Sequence, residues 1–208
     1  MLASAANSEC KDGAKMKRYD FTLVFDVLAV ELTDEDLDAF YEAGGGDALF
    51  GQSAGVFDAG FTREAADILE AVASAIDVIE TAGVGAVVVR VEPDDQVSIG
   101  DIAERTGRTN ESIRLLVNGQ RGPGGFPMPA TRIGTGRSRL WRWADVVAWF
   151  HEYEPGRWDE ENTRYWSVIA TVNDFLRQRA TAARGDTIAA EVRTALAPAL
   201  ERGCPVPH

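Results

Sequence analysis

The stretch SIGDIAERTGRTNESIRLLVN, residues 98–118, carries the start and stop signals of two short helices. Ser98 can cap a first helix, and Gly107 can end it because glycine adopts the left-handed backbone of a tight turn. Thr109 can cap a second helix, and the small side chain of Ala103 lets the two helices approach. The apolar residues expected to be buried recur at helical spacing: Ile99, Ile102, Ala103, Ile113 and Leu116. The stretch therefore predicts two helices that meet at a sharp turn.

The segment RGPGGFPMPATRIGTGRSRLWRWADVVAWF, residues 121–150, follows these helices. It predicts a short strand that ends at Ile133, a turn at residues 134–136 and a second strand through residues 140–142. A helix then presents Val146, Trp149 and Phe150 on one face. The pattern indicates a β-hairpin wing followed by a helix, and it favours a core position for the tryptophans over a stacking platform for single-stranded nucleic acid: Trp141, Trp143 and Trp149.

The order of these features resembles the AlpA and excisionase-like branch of the MerR-type winged helix-turn-helix proteins. The resemblance covers about residues 97–151, and FPMPATRIG…LWRWADVVAWF is its most specific part. The whole chain also resembles a group of uncharacterised bacterial helix-turn-helix proteins with YDFTLVF, GFTREA and RGPGGFP segments. Arg108 departs from the pattern, because the family usually has a buried aliphatic residue directly after the turn glycine. Either the stem of Arg108 covers the core while its head reaches solvent, or the turn is displaced.

The resemblance implies that the second helix enters the major groove of DNA. Its contact residues would be Thr109, Asn110, Glu111, Arg114 and Asn118. The wing would add Arg132, Arg137 and Arg139 at the minor groove or the phosphate backbone, with Arg121 and Arg142 as further candidates. Asn can pair with adenine, Arg with guanine and Glu with the cytosine amino group, whereas Thr can bind phosphate or a thymine methyl. Glu111 has a second interpretation, in which it only supports the N-terminus of its helix.

Charge is spread unevenly along the chain, whose net charge is −12. Residues 19–95 contain 18 acidic and two basic groups, whereas residues 96–150 contain eight arginines and four acidic groups. A local cationic surface can bind phosphate within an acidic protein, because salt screens each charge over roughly 8 Å. The functional hypothesis therefore rests on residues 96–150.

The sequence before this segment predicts the order β-α-β-β-α-β. Strands are expected at residues 19–30, 48–52, 55–61 and 84–91, with a first helix capped by Thr33 and a long second helix that starts at Thr62 and stops at Gly83. This order is the split βαβ arrangement of ferredoxin-like domains. Later periodicity predicts two C-terminal helices, Trp158–Ala183 and Asp186–Arg202.

We therefore expect an α+β chain with four parts. Residues 1–18 form a flexible tail, residues 19–93 an acidic ferredoxin-like domain, residues 96–151 a winged helix-turn-helix domain, and residues 158–203 a C-terminal helical region. Several classes are disfavoured: the sequence shows no membrane span and no secretory signal, so we expect a cytoplasmic protein. Two cysteines and two histidines, placed far apart, give no disulfide framework, metal site, cofactor site or catalytic triad, and we expect no enzyme.

The leading hypothesis is a sequence-specific, double-stranded DNA-binding protein that regulates transcription, with a homodimer reading two half-sites. The alternative is a ligand-sensing or protein-interaction module, in which residues 19–93 bind a small-molecule effector or a protein, as in ACT-like regulators. A phage-type accessory factor or an antitoxin would share the same DNA-binding part. A helical hairpin with a solvated arginine-rich surface that binds no DNA is the remaining interpretation.

Overall fold

The computed structural model describes residues 16–27, 31–53, 55–93, 95–133 and 138–183, and positions 191, 192, 194, 195 and 197. Over these residues the chain is α+β, as expected, with six helices and two small sheets. None of the six described helices combines the length and the apolar content that a membrane crossing needs.

The first six elements follow the predicted order. They are β1 (Lys17–Asp26), α1 (Asp34–Glu42), β2 (Ala48–Ser53), β3 (Val56–Ala65), α2 (Ile68–Thr81) and β4 (Val87–Glu92). The remaining elements are β5 (Gln96–Val97), α3 (Ile99–Thr106), α4 (Asn110–Val117), β6 (Thr131–Ile133), β7 (Ser138–Arg142), α5 (Trp143–Tyr153) and α6 (Glu160–Ala183). The strands form a four-stranded sheet in the order β2-β3-β1-β4 and a three-stranded sheet in the order β5-β7-β6.

The chain divides into two compact units. One contains residues up to Leu23 and Val27–Val87, and the other contains Val24–Asp26 and the residues from Val88 onward.

The first unit is built around a hairpin of β2 and β3. Ala48 lies opposite Phe61 and Ser53 lies opposite Val56, so the strands are antiparallel and in continuous register. Alternate β3 side chains are buried, and the Phe61 ring stacks on Phe21 of β1 at 5.7 Å between centroids. Thr33 caps α1 through the predicted capping box, because its side chain accepts from the Asp36 backbone N–H while the Asp36 carboxylate accepts from the Thr33 backbone N–H.

The prediction that a helix starts at Thr62 is wrong. Residues 62–65 continue β3, and α2 begins at Ile68 after the N-cap Asp67, whose carboxylate accepts from the Glu70 backbone N–H at 2.9 Å. The alternation of β3 was obscured because Arg63, a charged residue, occupies an inward position and is only 9% exposed.

Arg63 is buried, whereas its hydrogen-bond partners lie nearer the surface, and the Asp47 side chain is 30% exposed. Its guanidinium donates to both carboxylate oxygens of Asp47, at 2.8 and 2.7 Å, to the Gly44 carbonyl at 3.0 Å and to the Ser74 hydroxyl at 3.2 Å. The hydrogen bonds from Arg63 hold the pKa of Asp47 below its usual value. A buried charge is tolerated when its hydrogen-bonding groups are satisfied in this way.

The outer strand β4 is covered along its edge by α6. The Val91 N–H donates to Asn173 Oδ1 at 2.7 Å, and Asn173 Nδ2 donates back to the Val91 carbonyl at 2.9 Å. Two turns further along α6, Arg179 donates to the Val88 carbonyl at 2.7 Å. The six-residue step from Asn173 to Arg179 along the helix and the three-residue step from Val91 to Val88 along the strand both span about 9–10 Å. Because the two steps match in length, α6 and β4 run side by side.

The second sheet includes a strand that the sequence did not predict. Gln96 and Val97 form β5, opposite Arg142 and Trp141 of β7. A strand of two residues is too short to give a periodic pattern, and its position depends on pairing with a distant part of the chain.

The first predicted C-terminal helix corresponds to α6, which begins at Glu160 instead of Trp158. Most of the second, Asp186–Arg202, lies outside the described residues; positions 191, 192, 194, 195 and 197 within it are helical. Of the expected tail, residues 1–15 are also outside the described part, and residues 17 and 18 belong to β1.

Candidate nucleic-acid interface

The helical pair α3 and α4 forms as the sequence predicts. Ser98 caps α3 in a reciprocal box with Asp101, and the hydrogen bonds from Ser98 lower the pKa of the Asp101 carboxyl. Gly107 ends α3 in the left-handed region, with φ of 63°. Thr109 then caps α4 by accepting from the Ser112 backbone N–H at 3.2 Å. The four residues at the centre of the pair are buried: Ile102, Ala103, Ile113 and Leu116.

The face of α4 opposite this core is exposed and polar. Its exposed side chains are Asn110, Glu111 and Arg114, flanked by exposed Thr109 and Asn118 at the two ends. The Thr109 oxygen is used as a cap acceptor, so its hydroxyl proton remains available to a hydrogen-bond acceptor. Asn118 is the C-cap, and its backbone N–H donates to the Arg114 carbonyl at 3.0 Å. All five candidates on or beside α4 are therefore accessible to solvent.

Glu111 and Arg114 interact with one another. Arg114 Nη1 lies 3.5 Å from Glu111 Oε2, and the two side chains are 54% and 70% exposed. An exposed pair at this helical spacing is worth only about 0.2–0.5 kcal/mol, so either group can exchange its partner for a ligand.

The predicted wing is an antiparallel hairpin of β6 and β7. Thr131 lies opposite Leu140, and Arg132 lies opposite Arg139. The Arg139 guanidinium carbon lies 5.4 Å from the Trp141 ring centroid, which holds this cation against β7. The Arg132 side chain and the whole of Arg137 lie outside the described residues.

Three of the eight arginines in residues 96–150 have structural roles: Arg105, Arg108 and Arg142. Arg105 lies over the rings of Trp143 and Trp166, at 5.1 and 5.5 Å from their centroids. Arg142 donates to Asp95 at 3.0 Å and to Asp174 at 2.7 Å, so this candidate bridges parts of its own unit. The cationic surface is therefore smaller than the sequence count indicates.

Arg108 decides between the two alternatives raised by its departure from the family pattern. Its guanidinium lies 5.4 Å from the Phe150 ring centroid and pairs with the Glu154 carboxylate. Because Gly107 keeps its left-handed turn geometry, the turn is not displaced. The expectation that the head of Arg108 reaches solvent is wrong, because the guanidinium itself covers Phe150 and the side chain is only 16% exposed.

Apart from Arg105 and Arg108, the arginines of residues 96–150 lie in a segment without acidic groups. No Asp or Glu occurs between Glu111 and Asp145, although the chain contains 33 acidic residues, and the same segment contains six arginines. The segment includes most of α4, the hairpin and the connection between them, and its charge favours an anionic partner.

The connection between α4 and β6 is fixed to the core, a feature that sequence reasoning missed. Trp149 Nε1 donates to the Gly124 carbonyl at 3.0 Å, and Trp141 Nε1 donates to the Pro127 carbonyl at 2.9 Å. Gly122 has φ of 78°, which favours glycine, and a Cβ there would lie 3.0 Å from a Leu116 methyl carbon, a contact that Leu116 would have to relieve by shifting. The glycine- and proline-rich composition of RGPGGFP was the sequence signal that could have indicated a connection with a fixed backbone.

Met128 lies in this connection and is 84% exposed, the largest value among the exposed apolar side chains of the described residues. Nothing in the amino-acid sequence distinguishes it from an ordinary loop methionine.

Comparisons with known proteins add no family to this geometry: no family model, curated protein or solved structure matches the chain. Within the described part of the chain, no three His, Cys, Asp or Glu side chains lie close enough together to hold a metal ion.

Proposed function

We propose that the chain binds double-stranded DNA and regulates transcription, with α4 in the major groove and the β6–β7 hairpin at the adjacent backbone or minor groove. The fold assignment that goes with this proposal is a ferredoxin-like domain, a winged helix-turn-helix domain and a C-terminal helical region. The observation that carries it is the exposed polar face of α4, which shares one core with the hairpin and is followed by an arginine-containing segment without Asp or Glu. We further propose a homodimer that reads two half-sites.

The deciding experiment is a mobility-shift titration of the full chain with DNA fragments from its own promoter region. We expect a shift that weakens steeply as salt rises, because neutralising phosphates releases bound counterions. Absence of a shift even at low salt, where the phosphate contribution is largest, would exclude the proposal.

Replacing Arg137 and Arg139 together with alanine is expected to weaken binding to every DNA sequence and to flatten the salt dependence. The matched control is the double replacement of Arg164 and Arg177, which removes two exposed arginines of α6. Equal affinity and salt slope for the first variant and the unaltered chain would show that the hairpin does not contact DNA.

Arg114→Ala is expected to cost about 1–3 kcal/mol on the selected site and to relax preference at one base pair, if the guanidinium reads a guanine edge. A phosphate contact would instead lower affinity for all sequences alike. Glu111→Gln is the companion variant, because it removes the ion pair within the helix and leaves Arg114 in place; a changed preference at a different base pair would mean that Glu111 itself reads a base. Binding of both variants to single-base variants of the site separates these cases, and an unchanged profile for Arg114→Ala removes Arg114 from the reading surface.

A cleft in the first unit favours a second, compatible function as a sensor. It is a wide depression, open to solvent, with a volume of about 730 Å³, and its walls include Tyr41, Asp47, Arg63, Asp77 and Val78. This volume lies within the usual range for small-molecule sites. A thermal-shift screen of metabolites against the full chain tests the effector, and a screen without any shift would count against it.

A further inference from the structure

The connection between α4 and β6 combines a fixed backbone with an exposed apolar tip. Phe126 anchors it, with its ring 5.0 Å from Trp149 and 6.3 Å from Trp141 between centroids. The two indole N–H bonds to Gly124 and Pro127 hold the backbone on either side of this ring. The tip is therefore presented by a segment that is attached to the core at three points.

Met128 forms that tip between two prolines. Pro127 and Pro129 each fix their own φ near −65°, and a residue that precedes proline is restricted to extended conformations. The backbone at Met128 therefore has few alternatives, and ordering it on a partner costs little conformational entropy. An apolar side chain held out in solvent by a rigid segment is poised to contact a partner.

The surrounding charge indicates the chemistry of that partner. Arg121 is exposed earlier in the same connection, and Arg139 follows in the hairpin. An apolar tip within a segment that contains arginines and no acidic residues fits a polyanion with an apolar interior, which describes the phosphates and stacked bases of duplex DNA. A protein with an acidic apolar patch is the competing partner, and the test below distinguishes the two.

On the basis of the proposed DNA binding, we propose that Met128 is a wedge that inserts against a base step in the minor groove beside the hairpin and kinks the duplex. Methionine is among the apolar side chains that DNA-bending proteins insert in this way, at steps that kink by roughly 20–90°. Its unbranched, flexible side chain suits a narrow opening between base pairs. In this proposal the connection between α4 and β6 bends the DNA, whereas α4 and the hairpin bind it.

The test uses the full chain and a duplex selected by it, with donor and acceptor dyes at the two ends. We expect binding by the unaltered chain to bring the dyes together. Met128→Ala should bind about tenfold more weakly and leave the bound duplex straighter. Met128→Leu, which keeps a large apolar side chain, should retain most of both effects. Leu49→Ala is the matched control, because Leu49 of β2 is 79% exposed and lies outside the acid-free segment.

The outcomes separate the wedge from the proposed function. A duplex that is bound but kinked equally by the unaltered chain and by Met128→Ala would overturn the wedge and leave DNA binding intact. Absence of binding by the unaltered chain would overturn both. If Met128→Ala instead changes the molar mass measured by light scattering and leaves the geometry of bound DNA unchanged, Met128 contacts a second protein chain and the wedge is wrong.

Discussion

Trp149→Ala is expected to lower the free energy of unfolding by about 3–5 kcal/mol, the usual cost of emptying a buried aromatic position. Trp149 is 8% exposed, and its ring centroid lies within about 5 Å of those of Phe126, Phe150 and Tyr153. The substitution also removes the N–H that holds the Gly124 carbonyl. The variant therefore loses both the packing of the ring and the hydrogen bond that attaches the connection between α4 and β6. Chemical denaturation measures the total loss in the free energy of unfolding.

Trp149→Phe is the matched control, because it keeps most of the buried ring and removes only the indole hydrogen bond. We expect it to lose a smaller part of the stability, and we expect DNA binding by Trp149→Ala to fall as a consequence of unfolding. A Trp149→Ala chain that unfolds normally and yet fails to bind would instead identify Trp149 as a contact residue.

Asn173→Ala is expected to cost about 2–5 kcal/mol. Asn173 is 1% exposed, and its amide satisfies both the N–H and the carbonyl of Val91. Removal of that amide leaves two backbone groups without their partner, and each unsatisfied buried group costs about 1–3 kcal/mol. Denaturation curves of the variant and the unaltered chain measure the difference.

The control for this substitution lies on the same helix. Asn162 of α6 is exposed, and its side chain accepts only from Trp166 Nε1, at 3.1 Å, among the hydrogen bonds described for it. Asn162→Ala is expected to stay within about 0.5 kcal/mol of the unaltered chain, as surface substitutions usually do. Equal stability of Asn173→Ala and Asn162→Ala would show that water replaces the amide at β4.

Local signals correctly predicted the starts of α1, α3 and α4 and the end of α3. Thr33, Ser98 and Thr109 cap the helices expected of them, and Gly107 adopts the predicted left-handed turn. These features depend on a few neighbouring residues, whose side chains compete directly for the first N–H groups of a helix. A sequence read locally contains the whole of that information.

The boundary between β3 and α2 shows where local reasoning fails. Apolar residues around Ala65 fit both a strand and a helix, and the inward position of Arg63 hides the alternation that would favour the strand. Arg63 can lie inside only because Asp47 and Ser74 come together around it in the folded chain. That arrangement is tertiary, so no window of sequence reveals it.

The arginines of the candidate interface show the same limit. Sequence composition counted eight cations in residues 96–150, whereas Arg105 and Arg108 cover aromatic rings and Arg142 bridges two aspartates. A guanidinium that packs on a ring and one that awaits a phosphate are identical in sequence. The exposed face of α4, by contrast, followed directly from helical spacing.

The hydrogen bonds between α6 and β4 affect how fragments of this protein would behave. The domain boundary that the sequence predicts near residue 93 suggests expressing residues 19–93 alone. That fragment would lack Asn173 and Arg179, which bond to the backbone of β4. Its outer strand would then offer open peptide groups on which another molecule could add a strand. Association of that fragment would therefore not show that the full chain associates, and the oligomeric state is better measured on a chain that extends at least through residue 183.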